Sequence, residues 1–311
     1  MSAPSSPSLK HWLHAFRLRT LPLAVSSILV GSALASDWGW ISCHATSCDP
    51  MVLVLALLTA ILLQILSNLA NDLGDHVHGT DNADRVGPQR TVQSGAIPPA
   101  TMKRAMVICG VLAFASGSIL IVGSLGLTLK MMVFLLLGLL AIGAAVKYTF
   151  GKNPYGYAGL GDVSVFIFFG LVGVCGTYYL HTNRFEPLVL APAIAFGLLS
   201  SGVLNVNNMR DIHNDAASGK RTLVVRMGSA NARIYHTTLV VGAELCLIGF
   251  TLFIQAGWTT WLFLLSAPGF IIHLKRVWTT KEPRDLDPQL KVLAMGTFLT
   301  ALLFSLGLIL A

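Results

Sequence analysis

Charge is what this sequence has least of. Only 11% of its 311 residues are Asp, Glu, Lys or Arg, while 54% are hydrophobic. A water-soluble domain carries about 25% charged residues, so composition excludes a soluble enzyme and indicates a polytopic membrane protein. Acids are scarcer than bases, 14 against 21. The five cysteines have no metal-type spacing. Cys43 and Cys48 share one short segment and are either a disulfide, if that segment is extracytoplasmic, or two free thiols. His76, His78 and His213 lack zinc-type spacing and read as solvated side chains. No Walker, Rossmann or Ser-His-Asp pattern occurs, and no stretch is polar enough for a soluble domain or a long linker. The net charge of +7 would suit a nucleic-acid partner, so the placement of the cations has to decide its meaning.

What is present is a series of apolar runs near the ~20 residues that span a bilayer. They are Leu21–Ser36, Met51–Leu73, Met102–Gly123, Leu127–Tyr148, Gly159–Leu180, Leu188–Asn207, Ile234–Ala256, Thr259–Val277 and Gln289–Leu310. Ahead of them Leu9, Trp12, Leu13 and Phe16 alternate with Lys10, His11, Arg17 and Arg19, which suits a helix at the membrane surface. Ala33-Leu-Ala35 has the form of a signal-peptidase site, but twenty polar residues precede the run, which favours a retained helix. With nine spans, every Lys and Arg except Lys130 and Arg184 falls on one side. That side is then cytoplasmic, with the C-terminus outside. The expected fold is an all-α polytopic membrane protein, nine transmembrane helices in a bundle with two Asp-rich cytoplasmic loops, in a single domain over residues 1–311.

The scarce acids are concentrated. Four of them, Asp72, Asp75, Asp81 and Asp84, fall at or just after the end of the second apolar run, and Asn68, Asp72 and Asp75 share a helical face at i, i+4, i+7. A matching segment falls at and just after the end of the sixth run: Asn205, Asn208, Asp211 and Asp215, with Asp211 and Asp215 at i, i+4. Carboxylates at membrane-helix ends are expensive unless they bind something. Oxygen ligands of this kind suit Mg2+ with substrate phosphates. Asp72 and Asp75 read as metal ligands with Asn68 as a neutral one, and Asp211 and Asp215 as their counterparts. Asp81 and Asp84 either bind ligand or order the loop against Arg85 and Arg90. Arg85, Arg90, Lys220 and Arg221 either grip phosphate oxygens or are ordinary cytoplasmic cations. Lys152 lies on the same side near Tyr148, and Asp162, just inside the fifth run, is a functional candidate by its depth. Glu244 reads as a core polar contact ahead of a proton relay.

At these residues the chain resembles the UbiA-type intramembrane prenyltransferases. Asn71-Asp72-x-x-Asp75 resembles the family's first Asp-rich motif, with Gly79 near the place of the third acid and Asp81 later. Asp211-x-x-x-Asp215 resembles the second. Arg19-Thr-Leu-Pro-Leu-Ala24, Asp84-Arg85-Val-Gly-Pro88, Asn153-Pro-Tyr-Gly-Tyr157 and Gly219-Lys-Arg-Thr-Leu-Val-Val-Arg226 are similar to strings of the branch that prenylates 1,4-dihydroxy-2-naphthoate in menaquinone biosynthesis. The resemblance implies a polyprenyl diphosphate donor, that naphthoate as acceptor, Mg2+ as cofactor and a multi-pass location in the bacterial inner membrane. It also implies a site built from Asn68, Asn71, Asp72, Asp75, Asp81, Asp84, Arg85, Arg90, Tyr148, Lys152, Asp162, Asn208, Asp211, Asp215, Lys220 and Arg221. Asp72, Asp75, Asp211, Asp215 and Lys152 would be its catalytic members. The alternatives are a UbiA-type enzyme with another aromatic acceptor such as 4-hydroxybenzoate, a CDP-alcohol phosphotransferase, and a secondary transporter.

Overall fold

The structure is a computed structural model that describes residues 7–36, 49–81 and 86–311. Cys43, Cys48, Asp84 and Arg85 lie outside the described residues. Every regular element among those described is helical. A surface helix, α1 (Leu9–Phe16), leads through Arg17 into α2 (Leu21–Ala35). α3 (Pro50–Val77) opens with Asp49 accepting from the Met51 amide at 2.8 Å, which satisfies one of the free donors of a first turn. α4 (Pro99–Leu125) starts directly after Pro98, and α5 (Leu129–Lys147) is capped by the Thr128 hydroxyl. The fifth span runs from α6 (Gly161–Val165) through a π-helix (Phe166–Gly176) into α7 (Thr177–Thr182). Then come α8 (Leu190–Arg210), α9 (Ile212–Ala217), α10 (Leu223–Ile254), α11 (Ala267–Thr279) and α12 (Asp287–Ile309).

Eight helical stretches among the described residues are long and apolar enough to cross a bilayer. The ninth expected span, Thr259–Val277, is built differently. A 3₁₀ stretch, Trp258–Ser266, runs into the thirteen residues of α11, and neither part alone reaches spanning length. Pro268 at that junction has no amide hydrogen to continue an α-helical ladder backward. The acids, expected on loops, stand mostly on helices. α3 continues past its apolar run to Val77 and carries Asn68, Asn71, Asp72 and Asp75 on its last turns; Asn208 is in α8 and Asp215 in α9.

Two main hydrophobic cores hold the bundle. The larger joins α2, the π-helix, α7, α8, α10, α11 and α12 around Phe196, Phe250, Phe263 and Phe304. The other joins α1, α3 and α4 around Leu66, Leu69, Leu73 and Met102, with Ile142, Ala145 and Val146 of α5 against it. α5 itself buries no residue fully, and Leu136, Leu139 and Leu140 are more than half exposed. A helix this apolar and this open has lipid as its solvent. Two glycines set close approaches. A Cβ at Gly74 would collide with the Thr149 carbonyl, and one at Gly170 with the Ala193 carbonyl. The first lets α3 bring Asp75 against the connection after α5. The second seats the π-helix on α8. π-helical turns recur at functional sites, and here the Phe169 carbonyl accepts from Ser27 Oγ on α2 at 2.5 Å.

Candidate active site

A cavity of about 860 Å³ lies between the two cores. One end of it holds Asn68, Asn71, Asp75, Asp211, Asp215 and Lys220, so the last turns of α3 and the α8–α9 junction face one space. Arg90, Tyr148 and Asn208 also line it. Five of the expected residues do not line it: Asp72, Asp81, Lys152, Asp162 and Arg221.

Each of those five has a physical reason. Asp72 is buried and turned toward the loop before α4. Its carboxylate accepts from the Thr91 hydroxyl at 2.6 Å and from the Thr91 and Val92 amides at 3.2 and 3.3 Å. It is a side-chain cap for that loop, and its oxygens are engaged where a metal would need them free. Asp81 lies 3.2 Å from Arg90 Nε, so it orders the loop. Lys152 is exposed, on a turn where Gly151 and Asn153 both have positive φ, and that turn carries it outward. Asp162 is buried against α8 and α10, where it shares a hydrogen bond with Tyr235 and its backbone carbonyl accepts from Ser201 Oγ. Arg221 is exposed; its backbone amide donates to the Tyr157 carbonyl at 2.9 Å.

Within the cavity the first motif is closely tied. Arg90 donates to Asp75 at 2.7 Å and to Asn71 at 2.8 Å. It is therefore the organiser of this motif, a role beyond the phosphate grip expected of it. Asn68 donates to the Phe16 carbonyl and to Thr20, and its own carbonyl accepts from Gln64 at 3.2 Å, which fastens α3 to the segment after α1. Asp75 also accepts from the Tyr157 hydroxyl at 2.6 Å. Tyr157 escaped the reading by acid motifs, although it ends the Asn153-Pro-Tyr-Gly-Tyr157 string. It joins the two halves: its hydroxyl is 2.8 Å from Thr80 Oγ1, and its ring lies 5.4 Å beneath the Lys220 ammonium.

The second motif is looser. Arg210 grips both oxygens of Asp211, at 2.8 and 2.6 Å, and reaches Asp287 at the start of α12. Lys220 Nζ stands 3.4 Å from Asp215 Oδ1. Asp215 Oδ2 and Asn214 Oδ1 are enclosed with no hydrogen-bond partner among the described residues. Burial pushes the Asp215 carboxyl up to about 6, with Lys220 opposing and Asp211 and Asp75 adding to the rise. Burial alone would lower the pKa of Lys220. The carboxylates of Asp215, Asp75 and Asp211 more than offset that, so it stays charged. Sequence reasoning also missed Arg17, Arg19, Asn207, Asn214 and Lys291, all of which line the cavity. The polar contact expected of Glu244 is not found among the described residues. Both its oxygens are enclosed without a hydrogen-bond partner among the described residues, beside the buried apolar Val240, Ala243 and Leu247.

Residues 21–302 match the model of the UbiA prenyltransferase family. This chain belongs to that family. The UbiA-family chain is 47% identical over 300 residues to the 1,4-dihydroxy-2-naphthoate octaprenyltransferase of Escherichia coli (strain K12), covering 96% of this chain and 95% of the relative. It is 46% identical to the protein of the same name in Haemophilus influenzae, covering 97% and 96%. The fold is similar to that of a UbiA homologue from Aeropyrum pernix K1, at a TM-score of 0.69 and 17% identity, over 94% of this chain and 98% of that one. It is also similar to a UbiA homologue from Archaeoglobus fulgidus solved with GPP and Mg2+, at 0.62 and 14%, over 95% and 99%.

No three His, Cys, Asp or Glu side chains converge as a ready metal cluster among the described residues. Mg2+ asks for less, because it binds through one or two carboxylates together with waters and substrate phosphates. The enclosed, partnerless oxygens of Asp215 and Asn214, with Asp211 and Asp75 close enough to act on the same lysine, fit an ion that arrives with a diphosphate.

Proposed function

We propose that this chain transfers a polyprenyl group from an all-trans polyprenyl diphosphate to 1,4-dihydroxy-2-naphthoate, releasing diphosphate and CO2 and leaving demethylmenaquinol. The observation that carries the reading is one cavity with carboxylates of two distant segments at its polar end and apolar walls beyond. Whole-length relatives named for that acceptor support the substrate.

Asp75, Asp211 and Asp215 would hold Mg2+, which supplies Lewis-acid neutralisation of the leaving diphosphate. Lys220 adds a cation whose interaction strengthens as negative charge develops on the departing oxygen. Arg17 and Arg19, also at the polar end, add guanidinium donors suited to phosphate or carboxylate oxygens. Phe168 and Leu171 in the apolar wall keep water from the allylic cation. The electron-rich ring carbon bonds to that cation, and the ring's carboxylate leaves as CO2, so no further proton is needed. In this reading the protein lies in the bacterial inner membrane with nine spans, acids facing the cytoplasm and the C-terminus outside. A transporter would place its polar site near mid-span on broken helices, whereas Asp75 and Asp211 lie at helix ends.

The test is turnover by membranes or purified protein given Mg2+, a polyprenyl diphosphate and a panel of aromatic acids. Prenylated product with 1,4-dihydroxy-2-naphthoate alone is expected, abolished by chelation. Turnover with 4-hydroxybenzoate instead would redirect the acceptor assignment, and no turnover with any acid would end the enzyme reading.

A further inference from the structure

Arg210 stands one residue before Asp211 but does not line the cavity, and neither does Asp287, 77 residues farther along the chain. Together they hold the second acidic segment from behind. The Nε and Nη2 edge of the guanidinium spans Asp211, with Nε 2.8 Å from Oδ1 and Nη2 2.6 Å from Oδ2. Nη2 also donates to Asn207 Oδ1 at 3.1 Å, and Nη1 donates to Asp287 Oδ1 at 2.5 Å. The Arg210 side chain is 1% exposed, those of Asp211 and Asp287 11% and 39%. A cation this deep is costly unless it is paired, and here one cation meets two carboxylates.

The fold fixes Asp287 independently of the cavity. It opens α12, with Pro288 next, and its carboxylate complements the positive end of that helix. The 3₁₀ turn before it, Pro283–Leu286, is anchored in the larger core through the buried Leu286. One and two turns farther along α12, Leu290, Lys291 and Ala294 reach the cavity wall. α12 thus meets the site in two ways, directly through these three side chains and through Arg210 at Asp211. A planar guanidinium suits the second of these. Its fixed fork spans one carboxylate while the remaining nitrogen reaches another, which the point charge of a lysine does not do.

With both oxygens in the fork, Asp211 has none to give a metal ion without weakening its hold on Arg210. An Arg210 left with no carboxylate would be an unpaired buried charge, which is strongly destabilising. Asp287 removes that conflict, because Nη1 stays paired when an Asp211 oxygen is drawn elsewhere. We propose that Asp287 is a positioning residue of the metal site: acting through Arg210, it supplies the second carboxylate that frees Asp211 for Mg2+. The inference rests on the prenyl-transfer reading above, in which Asp211 is a ligand to that ion. It brings α12, which lies outside both acidic segments, into control of the second one.

The experiment titrates Mg2+ calorimetrically into the purified protein with a saturating unreactive thio analogue of geranyl diphosphate, and records melting in chelator beside it. Asp287→Asn is compared with Asp287→Glu, which keeps the charge, and with Asp285→Asn, which removes an exposed acid of the same turn. Asp287→Asn should bind Mg2+ about tenfold more weakly, the scale for partners that orient a metal ligand. Asp287→Glu should recover most of that loss, and Asp285→Asn should match the unaltered protein. In an Arg210→Gln background, adding Asp287→Asn should change Mg2+ affinity no further, because the path through the guanidinium is already cut. Equal losses at positions 285 and 287, or the same loss with and without Arg210, would reduce Asp287 to bulk charge and overturn the proposal. So would a lower melting temperature in chelator at unchanged Mg2+ affinity, the mark of a purely structural ion pair. If the unaltered protein binds no Mg2+ in the presence of the diphosphate analogue, the functional reading itself falls.

Discussion

Along α3 the fold closes the first acidic segment with its own partners, whereas at the α8–α9 junction Arg210 holds both oxygens of Asp211 and Asp215 keeps one oxygen to spare. Asp72 is consumed by three bonds from Thr91 and Val92 and faces away from the cavity, whereas Asp75 lines the cavity, held by one bond from Arg90 and one from Tyr157. Asp215 has one long contact to Lys220 and a second oxygen with no hydrogen-bond partner among the described residues. Two segments of similar spelling thus divide the work. The first is a scaffold that presents Asp75 at a fixed place, and the second is the more available to an incoming cation. An acid that already accepts three hydrogen bonds would have to release them to coordinate a metal, and each release leaves a buried donor unsatisfied at about 1–3 kcal/mol.

The comparison breaks first at Asp215. Asp215→Asn should lower kcat/KM by about 10²–10³-fold, the scale of losing one preorganised stabiliser of developing charge, while melting like the unaltered protein. Wild-type turnover in that variant would remove the second segment from the metal site. Asp72→Ala tests the other half of the contrast. It should lose activity together with stability, by about 1–3 kcal/mol, since it strips the caps from Thr91 and Val92. Loss of activity at an unchanged melting temperature would restore Asp72 as a direct ligand. Tyr157→Phe removes the hydroxyl between Asp75 and Thr80 but keeps the ring beneath Lys220. About a tenfold fall in Mg2+ affinity is expected, as for partners that orient a ligand, and metal titration in the presence of a non-hydrolysable diphosphate measures it.

Sequence carried the membrane class, the acids and the facing of the two segments, because hydropathy and i, i+4 spacing are local. It could not carry what depends on distant partners. Asp72 is read as a ligand from its helical face, yet Thr91, nineteen residues on, decides where its oxygens go. Tyr157 reaches Asp75 across 82 residues with no local mark. Lys152 shows its charge in the sequence but not the turn that aims it outward. The π-helix reads as an ordinary apolar run, because the same Phe, Gly and Val residues would serve an α-helix. The segment Trp258–Thr279 has the composition of a span, and its change from 3₁₀ to α geometry is set by packing against α12 that hydropathy does not register.

The smallest expected effect is a dependence of stability on pH at Asp215. The Asp215 carboxyl is pushed up to about 6 in the folded, metal-free protein, mainly by burial, against an ordinary value of 3.8. A group whose folded pKa is raised binds its proton more tightly in the folded chain than in the unfolded one. Its contribution is therefore fully present below pH ~4 and is lost as pH rises through ~6. In chelator, the unaltered protein should lose melting temperature relative to Asp215→Asn as pH goes from 5 to 7, since the amide does not titrate. Taking the difference between the two proteins cancels groups common to both. Mg2+ with a diphosphate should remove the difference, because a bound cation reverses the local preference and favours the ionised carboxylate. A difference that stays flat from pH 5 to 7 in chelator would mean that Lys220 already compensates Asp215 in full. The contrast between a closed first segment and an available second one would then rest on geometry alone.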